Sequence, residues 1–256
     1  MFERASARAR SAMASSTLDL THVGSETSRW AAVVDAMRPW AVGADACARL
    51  VVVSPHPDDE TLGVGGLIAE TALLGVPIVV LSITDGEAAK TEKTRLANRR
   101  QRELVNAMRC LVPCGSLRIV RCALPDGGVE RAMSQLIDML ASEIQPGDLV
   151  VSPLPCDGHS DHDAAGSATR LVAPRRGAAY AFYPVWAWEL HDPSQSVIST
   201  GGRRIDLSGH ARHSKAKALT CFVSQTSGVS PVLPNHFLRQ FDEPYEVLVT
   251  DELFTS

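Results

Sequence analysis

Four short apolar runs, each separated from the next by a helix-length segment, constrain this chain more than anything else in it. They are RLVVVS (49–54), PIVVLSIT (77–84), SLRIVRCAL (116–124) and DLVVSPL (148–154). Runs this rich in Val and Ile, with little polar alternation, are the pattern of strands buried on both faces. The stretches between them read as helices. Residues 63–75 are small and apolar; 91–112 carries Leu104, Met108, Leu111 and Val112 on one face and Arg95, Arg99, Arg100 and Arg102 on the other. Residues 129–143 place Met133, Leu136, Ile137 and Leu140 at helical spacing. Strands joined by helices of this length close as right-handed βαβ units. The expected class is therefore α/β, three layers around a mostly parallel central sheet.

The rest is less regular. GAAYAFYPVWAWEL (177–190) alternates like a strand, HSKAKALTCFVSQTS (213–227) reads as a helix, and STGGRR between them reads as a Gly-rich loop. The tail is rich in Pro and aromatics and carries no assigned element. RWAAVVDAMRPW (29–40) reads as a packing helix. No inner linker interrupts the chain, and 256 residues suit one large α/β core. We expect one domain over 29–256, preceded by a solvated, poorly ordered extension over 1–28 whose Arg, Ser and Ala bias is also that of transit peptides.

Composition excludes several classes. With 45% apolar and 21% charged residues the chain is neither disordered nor collagen-like. A net charge of −4 provides no basic excess for nucleic acid. No segment approaches the ~18–20 apolar residues of a membrane span. The six cysteines are scattered without CxxC pairs, so they read as reduced, buried thiols, and with no apolar signal segment the expected location is cytoplasmic.

Ligands of open α/β sheets bind at the carboxyl ends of the strands, and the polar clusters here fall at those ends. His56-Pro57-Asp58-Asp59-Glu60 follows the first run, Thr84-Asp85-Gly86-Glu87 the second, Pro125-Asp126-Gly127-Gly128 the third, and Cys156-Asp157-Gly158-His159-Ser160-Asp161-His162 the fourth. His56, Asp59 and a second imidazole from the fourth loop would make a three-ligand site, the arrangement of catalytic rather than structural zinc. Such a metal activates water and polarises a carbonyl. Paired aspartates, Asp58 and Asp59, allow one to ligate while the other moves a proton. An acid cluster alone could simply cap a helix; two His-and-Asp clusters ending strands of one sheet point instead to a metal. GVGGL (63–67) lacks the full GxGxxG pattern, and close helix packing accounts for it better than a dinucleotide.

These residues resemble the PIG-L/LmbE-like family of metal-dependent N-acetylglucosaminyl deacetylases. The matching stretches are SPHPDDETLGVGGLI (54–68), ITDGE (83–87), RQRELVNAM (100–108), LPDGGV (124–129) and GHSDHDAA (158–165), in the family's order within a core of about 48–225. The resemblance implies the LmbE-like, Rossmann-like fold and removal of an N-acetyl group from an amino-sugar conjugate, a small-molecule substrate. It implies Zn2+, with Fe2+ as another option, held by His56, Asp59 and His162. Asp58 would be the general base; His159 would stabilise the oxyanion or protonate the leaving amine; Asp161 would orient the histidines; Arg100 and Asp126 would contact sugar. The rival expectations are an amidase acting on a larger sugar or thiol conjugate and a non-catalytic sugar-binding relative. One position departs: thiol-pathway members carry a tyrosine where this chain has Asp157, and an ionised carboxylate cannot donate that hydroxyl's hydrogen bond. Tyr183, Trp186, Trp188 and His191 are the candidate substitutes, although core packing also suits the two tryptophans. Glu60 is expected to support the ligands or start the helix.

Overall fold

The computed structural model describes residues 26–40, 47–89, 93–228 and 231–250. All four apolar runs are strands. In chain order the strands are β1 (Arg38–Pro39), β2 (Leu50–Ser54), β3 (Ile78–Thr84), β4 (Leu117–Leu124), β5 (Leu149–Pro153), β6 (Ala179–Tyr183), β7 (Gly202–Asp206) and β8 (Tyr245–Thr250). They form one sheet in the order β1-β7-β8-β6-β5-β2-β3-β4. From β4 to β6 the neighbours are parallel; β8 runs antiparallel to β6 and β7, and β1 pairs with β7.

The helices are α1 (Glu26–Asp35), α2 (Asp59–Leu73), α3 (Lys93–Leu111), α4 (Met133–Glu143), α5 (Ser160–Val172), α6 (Ala187–Leu190), α7 (Val197–Gly201), α8 (Gly209–Leu219), α9 (Val223–Thr226) and α10 (Asn235–Arg239). Every β2 residue is buried, because helices cover both faces. Leu50 and Val52 join a core with Leu62, Leu67, Leu104 and Met108 of α2 and α3. Val51 and Val53 point the other way, to Leu136, Leu140, Ala165 and Ala168 of α4 and α5. That alternation is the period of a strand, and it produces the three layers.

Several expectations change in detail. The strand expected over 177–190 ends at Tyr183: Pro184 has no N–H for the ladder, and the chain turns into α6. STGGRR is not a loop but the end of α7 and the start of β7. The Pro-rich tail contains β8, whose middle four residues are buried. The helix expected over 213–227 begins at Gly209, capped by the Ser208 side chain, and ends at Leu219, with α9 after a turn. Helix α1 starts at Glu26, inside the extension expected over 1–28; residues 1–25 lie outside the described residues.

The glycines of α2 serve packing. A Cβ at Gly63 would lie 2.1 Å from the Tyr183 ring, and one at Gly66 2.5 Å from Leu207. Helix α2 also breaks its regular geometry at Val64 (φ −140°, ψ 23°). Beyond that break the N–H groups of Gly66 and Leu67 donate to the Glu246 carboxylate at 2.7 and 2.8 Å, and Lys215 pairs with the same carboxylate at 2.7 Å. All of it is buried. The residual charge is thus offset where water cannot reach.

Candidate metal centre and active site

Strand β2 lies between β3 and β5, so the chain leaves it in one direction and returns on its other side. This is the switch point at which open α/β sheets form clefts. The loops after β2 and β5, and their two His-and-Asp clusters, flank that point.

Three atoms converge there. Asp59 Oδ2 lies 3.1 Å from His56 Nδ1 and 3.1 Å from His162 Nε2, and the two nitrogens are 3.3 Å apart. The outer nitrogen of each ring has its own carboxylate. His56 Nε2 faces Asp126 Oδ1 at 3.2 Å and Asp161 Oδ2 at 3.3 Å. His162 Nδ1 faces Asp157 Oδ2 at 2.8 Å. Carboxylates accept, so each neutral ring carries its proton on the outer nitrogen and turns a lone pair inward. Three lone-pair donors this close repel one another unless a proton or cation lies between them. Without a cation, protons take that place: although burial works against the charge, Asp59 and Asp157 push His162 up to about 9. Burial likewise opposes charge on His56 and on Asp59. Even so, hydrogen bonds to Asp126, Asp161 and Asp59 hold His56 well above the usual range, and His162 and His56 hold Asp59 well below its own.

Asp58 stands apart from this trio. Its Oδ2 accepts from Arg100 at 2.9 Å, and burial raises its pKa to about 6 against the pull of that guanidinium. A carboxyl near this value can both take and release a proton close to neutrality. Arg100 is 4% exposed; it also donates to Gly86 O and Pro57 O, lying so close over Gly86 that a Cβ there would meet it at 2.1 Å. Asp126, besides facing His56, accepts from the Ala88 N–H at 2.6 Å. Both residues expected to contact sugar are thus engaged within the protein, and a sugar hydroxyl would have to share them.

His159 is the N-cap of α5, and its Nδ1 accepts from the Asp161 N–H at 3.2 Å. A neutral ring in that position carries its proton on Nε2. Burial, then the charges of His162 and His56, lower its pKa to about 4, so it is a neutral hydrogen-bond donor at pH 7. Asp161, which lies between His159 and His162 in sequence, turns its carboxylate to neither of them but to the His56 ring. Its carboxylate takes His56 and the N–H groups of Gly127 and Val129, tying the third and fourth rim loops together.

The tyrosine substitutes divide clearly. Tyr183 is fully buried and donates to Val53 O at 2.7 Å. Trp188 packs edge-on against Trp30, and its carbonyl accepts from Trp30 Nε1. His191 is bound by Cys156 O and Ser196. Trp186 is partly exposed beside the site, 6.4 Å from the His159 ring at an interplanar angle of 21°. Glu60 proves to be fully buried and bonded to Ser54, Thr61 and the Asp58 N–H. Asp157, seen in sequence only as a missing tyrosine, lies behind His162.

Fold and site together define a three-layer α/β protein with a His-and-Asp centre at its sheet's switch point. Residues 51–173 match the model of the PIG-L family, described as GlcNAc-PI de-N-acetylase. It is 30% identical over 131 residues to a probable N-acetyl-alpha-D-glucosaminyl L-malate deacetylase 2 of Bacillus subtilis, covering 46% of this chain and 58% of that protein. It is 32% identical over 130 residues to the diacetylchitobiose deacetylase of Thermococcus kodakarensis, covering 46% of each. The chain thus spans about half the length of the curated relatives it matches. Among solved structures, a conserved protein of Thermus thermophilus shares the fold with a TM-score of 0.59 at 22% identity, over 79% of this chain and 94% of that one. The N,N'-diacetylchitobiose deacetylase of Pyrococcus horikoshii does so with a TM-score of 0.55 at 21% identity, over 71% and 72%. Among the described residues no helix is long and apolar enough to cross a membrane.

Proposed function

We propose that this protein is a metal-dependent N-deacetylase that releases acetate and a free amine from an amino-sugar conjugate, with His56, Asp59 and His162 as ligands of a divalent cation, zinc or Fe2+. The observation that carries this reading is the convergence of three inward lone pairs within 3.3 Å beside a separately held carboxyl, Asp58. The donor set suits the group: two imidazoles and one carboxylate are the ligand types of catalytic zinc, and each imidazole is backed by a carboxylate. Bound there, such a cation supplies Lewis acidity, polarising the amide carbonyl and bringing the pKa of water to about 7.

The chain's own residues do the rest. Asp58 takes the proton of the attacking water, and Arg100 fixes the carboxyl's direction. His159, neutral and protonated on Nε2, donates to the oxygen that becomes negative as the amide carbon turns tetrahedral. With its pKa at about 4, His159 is poorly suited to protonating the departing amine. Asp58, having gained the water's proton, is the group that can return it. Trp186 offers a flat apolar wall beside His159 against which a sugar ring can lie. The similarity to deacetylases of N-acetylglucosaminyl malate and diacetylchitobiose supports an amino-sugar substrate.

The test is fluorescent detection of primary amine released from a panel of N-acetylglucosamine conjugates by zinc-loaded protein. Asp58→Asn is expected to lower kcat by about 10²- to 10⁴-fold, the usual share of a general base, while zinc content stays the same. Unchanged kcat in that variant would remove Asp58 from the mechanism. Absence of amine release from every conjugate would favour an amidase for larger conjugates or a sugar-binding role.

A further inference from the structure

Asp157, at the start of the fourth rim loop, turns its carboxylate toward His162 and the backbone of 185–187. Its side chain is fully buried. Oδ1 accepts from the N–H groups of Val185 and Ala187 at 2.9 and 3.1 Å; Oδ2 accepts from the Trp186 N–H at 3.0 Å and faces His162 Nδ1 at 2.8 Å. Both oxygens are therefore committed. Three backbone donors from one turn hold the carboxylate still, and the fourth contact is to a ring whose other nitrogen lies 3.1 Å from Asp59 Oδ2.

We propose that Asp157 is a positioning residue that fixes His162 as the Nδ1–H tautomer, keeping the Nε2 lone pair aimed at the metal site. The inference rests on the reading of His162 as a metal ligand. Its physical basis is a constraint on protons. With three N–H donors already on the carboxylate, the ring must donate to it, so in the neutral ring, the form able to bind a cation, the second nitrogen is bare. Carboxylates placed behind ligand histidines typically contribute about ten- to a hundredfold in metal affinity.

An Asp157→Asn substitution separates this role from simple filling of space. Placed with its oxygen at the Oδ1 position, the asparagine would keep the Val185 and Ala187 contacts and give up the one from the Trp186 N–H. Its NH2 would then face His162 Nδ1 and can only donate, which forces the ring's proton onto Nε2 and blocks the ligand atom. The opposite placement would set an NH2 against two backbone N–H groups. The retained fold and the lost tautomer are thus separable.

The experiment measures zinc affinity by competition with a chromophoric chelator for wild type and Asp157→Asn, alongside the thermal midpoint of each protein without metal. We expect binding about ten- to a hundredfold weaker in the variant, with a folded metal-free state. Equal affinities would overturn the inference and leave the metal site standing; a wild type that binds no zinc would overturn both. Should the variant not fold, NMR of zinc-loaded wild type decides. A slowly exchanging His162 Nδ1 proton supports the inference, and one exchanging as fast as an exposed imidazole refutes it.

Discussion

Glu60 shares a turn with the proposed ligands yet points away from them, and its surroundings explain how a carboxyl persists there. Ser54 Oγ lies 2.7 Å from His56 O and 2.8 Å from Glu60 Oε2, and it has one proton for two acceptors. Protonating Glu60 removes the conflict, since the acid can donate to Ser54 while Ser54 donates to His56 O. Burial, first of all, raises the Glu60 pKa from 4.5 to about 7. The sign follows directly. Between those values the folded state holds a proton that the unfolded state has released, so stability falls as pH rises through this window and levels off above about pH 7. Glu60→Gln is expected to flatten that decline, which reaches about 1.4 kcal/mol per pH unit where it is steepest. Urea titrations of metal-free wild type and variant, from about pH 4.5 to 8 so as to span the window, measure it; a wild-type slope retained in the variant would assign the decline to another group. Nothing in the sequence marked Glu60 as buried, because its partners are a serine, a threonine and a backbone N–H.

Among the elements, α2 shows where pattern reading succeeds and where it stops. The small residues of GVGGL predicted close packing, and the Tyr183 ring and Leu207 provide it. The break at Val64 and its remedy were not legible, because Glu246 and Lys215 come from β8 and α8, far along the chain. Removing Lys215 leaves a buried carboxylate with only two N–H partners. Lys215→Met is expected to destabilise the fold by about 3–5 kcal/mol, as breaking a buried pair does. Chemical denaturation reads the loss; a change below about 1 kcal/mol would mean the two backbone donors suffice. The strands follow the same logic. β2 to β5 were visible as apolar runs because helices bury both their faces, and their observed ends lie within a residue or two of those runs. β7 and β8 were missed because GRRID carries two arginines and YEVLVT follows a stretch of prolines and aromatics that reads as coil.

For the molecule as a whole, the order β5-β2-β3 joins His56 and Asp59 to a partner 106 residues from His56. Both clusters were legible as polar groups ending apolar strands, so the site's location followed from topology. Its supporting contacts did not, since the backbone donors at 185–187 leave no side-chain signature. A cation that binds the folded chain alone must stabilise it by mass action. Zinc at about a hundred times its Kd is expected to add about 2.7 kcal/mol, raising the thermal midpoint, and a chelator should reverse the shift. A midpoint indifferent to zinc would count against the ligand assignment. The strand order also sets a schedule for biosynthesis. A chain emerging residue by residue presents His56 and Asp59, two of the proposed ligands, early on one loop, and β2 meets β5 only after roughly a hundred further residues have been made. Until then the nascent protein has two of the three proposed ligands and one open edge on its central strand, so the proposed metal site can close once β5 joins β2, before β6, β7 and β8 have been added to the sheet.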